Sequence, residues 1–126
     1  MTAAPESNGS LRRLRKRAQF LNAAKGRRAG RNAFSLQAAA VDAADAGVGF
    51  TVTKKVGNAP ERNRIKRRLR AALRACAPEL KAQHDYVLVG RREALTLPFS
   101  KVVSDLSSAI AKVHAKTARD AGDLRR

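Results

Sequence analysis

The densest chemistry in the sequence lies in the run Arg62-Asn63-Arg64-Ile65-Lys66-Arg67, continued by Arg68, Arg70 and Arg74. A guanidinium grips phosphate through two parallel hydrogen bonds, and an asparagine amide both donates to and accepts from a base edge or a ribose 2′-hydroxyl. At the start of a helix such donors also sit near the positive end of the helix dipole, where phosphate is favoured. Like charges four residues apart, as in Lys66 and Arg70 or Arg70 and Arg74, weaken a helix unless an anion offsets them. The chemistry is therefore polyanion binding, with nucleic acid as the expected polyanion. A lipid surface is the competing use of a basic amphipathic helix, but such helices carry bulky apolar anchors, and this one offers only two leucines and an isoleucine.

Bond-breaking chemistry is harder to place. A metal-dependent nuclease needs clustered carboxylates, and a metal-free one needs paired acid and base groups. Here the acids are scattered singly, and both histidines, His84 and His114, fall outside the basic clusters, where they read as surface residues. The lone cysteine, Cys76, lies in apolar phase with Ile65, Leu69, Ala72 and Leu73 and reads as core. It can form no intramolecular disulfide and has no His/Cys neighbours for a structural zinc site, so a reducing compartment fits.

The charge balance supports the same reading. The chain has 126 residues with 27 Lys+Arg against 10 Asp+Glu, a net charge of +17, and 44% hydrophobic residues, enough for one small folded domain. One basic cluster runs from Arg12 to Arg31 with no acid, and a second from Lys54 to Arg74 with Glu61 alone against it. A patched charge can follow a phosphate backbone. No window approaches the roughly 20 consecutive apolar residues of a membrane span, so a cytoplasmic location is expected. An organelle transit peptide is the alternative for the arginine-rich N-terminus.

Elements must hold these residues in place. The spacing of Leu14, Ala18 and Leu21 predicts a short helix between Leu14 and Lys25, stopped by Gly26. Phe34, Leu36 and Ala38, then Val48, Phe50 and Val52, alternate as half-buried strands do, with a hairpin-like connection through Asp42, Asp45 and Gly47. Lys54 to Pro60 reads as a turn feeding the basic helix, which Pro78 closes. Tyr86 to Val89 suits a strand buried on both faces, and Thr96 and Pro98 announce a last helix carrying Phe99, Val102, Val103, Leu106, Ala109, Ile110 and Val113 on one side. This order predicts an α+β two-layer sandwich with helices over one face of a small mixed sheet. Residues 1–10 read as a flexible tail, 11–116 as a single RNA-binding domain and 117–126 as a polar C-terminal tail.

The stretch from Gly47 to Arg70, GVGFTVTKKVGNAPERNRIKRRLR, resembles the core of the bacterial ribonuclease P protein component. That family places a "VG..VSKK.GNAV.RNR.KR" pattern on a strand, a turn and a helix, and residues 48–70 follow it nearly throughout. Weaker similarity extends from about Leu14 through the Asp85-to-Arg91 strand to the last helix.

The resemblance implies an α-β-β-β-α-β-α order with a left-handed βαβ crossover, a fold like domain 2 of ribosomal protein S5. Ordinary crossovers are right-handed, so composition alone does not predict this. It implies a subunit of an endoribonuclease whose catalysis is carried by RNA. The partners would be that catalytic RNA and the 5′ leader of precursor tRNA, with no membrane and no obligate protein partner. No cofactor would be held by the protein, and magnesium would be bound by the partner RNA. Carried over by position, Arg62, Asn63, Arg64, Lys66, Arg67 and Arg70 would contact the catalytic RNA, together with Lys54, Lys55 and Arg91. Phe20, Phe34, Thr51, Thr53 and Lys55 would lie in or beside a leader cleft. Phe20 stands off the Leu14/Ala18/Leu21 stripe, which leaves both base stacking and core packing open to it. Two positions often aromatic in the family are Ala24 and Gln37 here. The rivals are a structural RNA-binding protein, such as a ribosomal one, and a stand-alone nuclease.

Overall fold

The computed structural model describes residues 11–124, with side chains as far as residue 115. The expected N-terminal tail, 1–10, lies outside the described residues. In chain order the elements are β1 (Arg12–Arg13), α1 (Arg17–Ala24), β2 (Arg27–Gly30), β3 (Phe34–Ala40), β4 (Gly47–Thr51), α2 (Ala59–Cys76), β5 (His84–Gly90) and α3 (Phe99–Leu124). The expected α-β-β-β-α-β-α order is present, preceded by the two-residue strand β1.

The five strands form one mixed sheet in the order β1-β4-β5-β3-β2. β2 and β3 pair as an antiparallel hairpin, β3 runs antiparallel to β5, and β4 runs parallel to β5 from Gly47↔Asp85 to Thr51↔Val89. The segment between β3 and β4 is therefore not a hairpin connection, because β5 inserts between them. Alternation in β3 and β4 dictates which side chains face a core but not which strand is the neighbour. β5 takes the centre because its apolar run can be buried on both faces: Tyr86 and Leu88 join one core while Val87 joins the other.

The main core lies between the sheet and the pair α2 and α3. Phe34 and Leu36 of β3 meet Ile65, Leu69 and Leu73 of α2 and Val102, Leu106 and Ile110 of α3. The predicted apolar stripe of α2 is buried throughout, Cys76 included. Along α3, Val103 is only partly buried and Phe99 is 42% exposed at the helix start.

The expectation that the helices share one face holds for α2 and α3 only. α1 packs on the opposite face, where Ala23 joins Leu14 and Val87, with Phe20 and Val89 packed against them. Its predicted stripe is also corrected: Ala18 is exposed and Leu21 is 50% exposed. The helix begins only at Arg17, so Leu14 precedes it and cannot set its phase; Phe20 and Ala23, one turn apart, face the sheet instead. Gly49 makes that approach possible, since a Cβ there would stand 2.7 Å from Phe20 Cε2.

Candidate nucleic-acid interface

The start of α2 is fastened before any ligand arrives. Asn58 Oδ1 accepts from the Glu61 N–H at 2.9 Å, and Glu61 Oε1 accepts from the Asn58 N–H at 2.9 Å, a reciprocal cap. Pro60 falls in the first turn, where its missing N–H costs nothing. Glu61 also receives Arg92 at 2.8 Å, and Arg92 donates to the Val56 carbonyl at 3.0 Å. The hydrogen bond from Arg92, then that from the Asn58 backbone, lower the Glu61 pKa to about 2 against a small opposing effect of desolvation. The one acid of the second basic cluster is thus committed to the cap and to Arg92, leaving the cations beyond it uncompensated.

On α2 the side chains divide by direction. Asn63, Arg64 and Arg67 are exposed, and Arg62 is half-buried with its Nη1 donating to the Gly57 carbonyl at 2.8 Å. Arg68 departs from the expected cationic arc: it is half-buried and donates to the Leu97 carbonyl, so it serves the contact with the α3 side. Lys66, Arg70 and Arg74 point the other way, toward β4 and the N-terminal segment. The Arg70 guanidinium lies 5.5 Å from the centroid of the Phe50 ring, a cation–π contact.

Two cavities open on this flank. One, of about 270 Å3, is lined by Arg12, Arg13, Lys66, Arg70 and Arg74 around an apolar floor that includes Phe20, Gly49 and Phe50. The other, of about 530 Å3, takes Arg15, Arg17, Lys66, Phe20 and Thr51. Neither lining contains an acid. The two basic clusters, some fifty residues apart in the chain, therefore converge on a shared cationic groove with aromatic walls, which suits a single-stranded nucleic acid.

An ion pair with a buried carboxylate holds the N-terminal half of this groove. Arg12 Nη2 donates to Asp85 Oδ1 at 2.6 Å, the carboxylate side chain being only 4% exposed. The same guanidinium donates to the Asp45 carbonyl at 2.8 and 3.2 Å, while the Arg12 and Leu14 amides donate to Ala46 and Val48 carbonyls. These bonds fix β1 beside β4 and so set where Arg13 and Arg15 emerge.

The residues expected at the site fall into four groups. Phe20, Thr51, Lys66 and Arg70 meet in the groove. Arg62, Asn63, Arg64 and Arg67 occupy the open face of α2, and Thr53, Lys54 and Lys55 are exposed on the turn before it. Arg91 lines neither cavity; its Nη2 lies toward Gly30 at the end of β2. Phe34 is corrected: it is fully buried in the main core on the α2/α3 face, because β3 alternation turns it away from α1. Residues missed from sequence are Arg12, Arg13, Arg15, Arg17, Arg74 and Phe50. The acid-free run after Ser10 is the signal for the first four, the basic run of α2 for Arg74 and strand alternation for Phe50, but where they meet depends on the sheet order.

The sequence model of the family described as Ribonuclease P matches residues 10–114. Among curated proteins, the ribonuclease P protein component of Ruegeria pomeroyi is 48% identical over 107 residues, covering 81% of this chain and 86% of that protein. That of Brucella suis is 40% identical over 131 residues, covering 96% and 91%. Among solved structures, the RNase P protein of Staphylococcus aureus superposes with a TM-score of 0.66 at 26% identity, covering 80% of this chain and 95% of that one.

Proposed function

The chain belongs to the bacterial ribonuclease P protein family, and from that premise we propose that the open face of α2 binds the catalytic RNA while the groove beneath α1 receives the precursor-tRNA leader. Ribonuclease P is the endoribonuclease that processes the 5′ leader of precursor tRNA, and this chain is its protein component. On our reading Arg62, Asn63, Arg64 and Arg67, with Lys54 and Lys55 on the adjoining turn and Arg91 further off, engage phosphates of the catalytic RNA. Lys66 and Arg70 sit where both RNAs could meet. Phe20, Thr51 and Thr53 serve the leader, joined by Arg13, Arg15 and Arg17; Phe34 is excluded by its burial.

The observation that carries this reading is the convergence of two basic clusters on one acid-free groove with Phe20 and Phe50 in its walls. Neutralising phosphates releases counterions, so these cations supply affinity and reduce repulsion between two large RNAs. We place the cleavage chemistry and its magnesium on the RNA. The Glu61 and Asp85 carboxylates already accept from Arg92 and Arg12, and among the described residues no group of three or more His, Cys, Asp or Glu could hold a metal ion. No helix among them is long and apolar enough to cross a membrane.

The test is reconstitution with a cognate catalytic RNA at low magnesium, where adding the protein should restore precursor-tRNA cleavage; unchanged cleavage refutes the role. The double variant Arg62→Ala, Arg64→Ala should weaken assembly and reduce the log–log salt slope by about 1.4 to 1.8, the range for two lost phosphate contacts. An unchanged slope refutes those two assignments.

A further inference from the structure

A separate cavity of about 690 Å3 opens at the other end of α1 and shares no lining residue with the groove. Lys25, Arg27, Arg28, His84 and His114 line it above a floor of Ala38, Ala39 and Ala40, and no acidic side chain is among the lining. Lys25 and Arg28 are exposed and form no ion pair among the described residues.

The two imidazoles are oriented from below. The Lys81 N–H donates to Tyr86 Oη at 2.9 Å, and Tyr86 Oη and His114 Nε2 share a hydrogen bond of 2.7 Å. The His114 side chain is half-buried. Desolvation, with Lys81 and His84 nearby, lowers its pKa to about 4, so near neutral pH its ring is uncharged. His84 Nδ1 donates to the Ala82 carbonyl at 3.0 Å, which leaves Nε2 free of that bond, and the ring meets His114 edge-on at 4.9 Å. Cationic donors on one wall match a phosphodiester, which can only accept. The His84 Nε2 matches a ribose 2′-hydroxyl, which both donates and accepts.

We propose that this cavity is a second RNA-backbone site, in which Lys25 and Arg28 hold a phosphodiester and His84 faces the adjoining ribose. It lies one short helix away from the groove, since the eight residues of α1 span only about 12 Å. Either a further stretch of the leader or a strand of the catalytic RNA carries the required chemistry.

The experiment compares the full-length protein with Lys25→Ala, Arg28→Ala and with the charge-keeping Lys25→Arg, Arg28→Lys across a salt series. One arm measures protein binding to the catalytic RNA, and the other measures holoenzyme binding to precursor tRNA with a long leader. One lost single-strand phosphate contact reduces the slope by about 0.7, so between 50 and 200 mM salt the wild type should lose about 2.6-fold more affinity than the alanine variant. The charge-keeping variant should behave as wild type. A loss confined to the first arm assigns the site to the catalytic RNA, and a loss confined to the second assigns it to the leader. Unchanged slopes in both arms, with the variant's circular dichroism native, overturn the proposal. The inference needs an RNA partner but none of the residues assigned above, and Arg62→Ala, Arg64→Ala in the same series reports on that reading separately.

Discussion

Phe20 offers the sharpest separation of packing from recognition. Its ring lies over Gly49 and packs on the Leu14, Ala23 and Val87 cluster, yet it also lines both cavities of the groove. Phe20→Leu keeps an apolar side chain on the sheet and removes the aromatic face. Half-burial of such a side chain contributes about 1 kcal/mol, and leucine retains most of it, so the thermal midpoint should fall by only a few degrees. A lost base stack costs about 1–3 kcal/mol, or roughly 5- to 150-fold in leader binding. The assay is kcat/KM of the reconstituted holoenzyme on two precursor tRNAs, one with a long leader and one with a single-nucleotide leader. The long-leader substrate should lose affinity by that factor while the short-leader substrate is processed as by wild type. An equal penalty on both substrates, or none on either with the variant folded, would refute the stacking role and leave Phe20 a packing residue.

Gly49→Ala should mimic that loss from the opposite side, because the added methyl would meet the Phe20 ring at 2.7 and 2.8 Å; overpacking of this kind costs about 1–3 kcal/mol, readable as a lower urea midpoint together with weaker long-leader binding. Glu61→Gln should lower the thermal midpoint at pH 7. With the folded pKa depressed from 4.5 to about 2, the carboxylate's contribution is complete above pH 4.5 and lost as pH falls toward 2, so the two melting curves should converge across that window. His114 titrates in the same sense: its folded pKa of about 4 lies below the ordinary 6.5, so stability falls as pH drops from 6.5 to 4. His114→Gln should flatten that part of the stability profile, and an unaltered slope would show that the half-buried imidazole is not its source.

Much of the architecture is legible in local pattern. The α2 stripe Ile65, Leu69, Ala72, Leu73 and Cys76 is buried as its periodicity predicts, and the continuous run in β5 occupies the doubly covered centre of the sheet. Both rest on nearest-neighbour geometry, 100° per helical residue or alternation along a strand, which a linear sequence carries in full. Patterns fail where too few residues set the phase. The eight residues of α1 bury one alanine fully, and its apolar members Ala18 and Leu21 face outward. Phe34 shows a different failure, since alternation marks it as inward-facing without saying which of the two faces is inward.

By itself the sequence determined the sign and patching of the charge, the identity of the basic helix and the family motif around it. Those depend on residue types and short spacings that survive in any conformation of the chain. Only the tertiary structure decided where that charge acts. The insertion of β5 between β3 and β4 and the Arg12–Asp85 pair bring the N-terminal arginines beside Lys66 and Arg70. Strand order and such ion pairs are long-range choices settled by burying both faces of β5 at once. The same choices place Lys25, Arg28 and His84 around a cavity at the far end of α1.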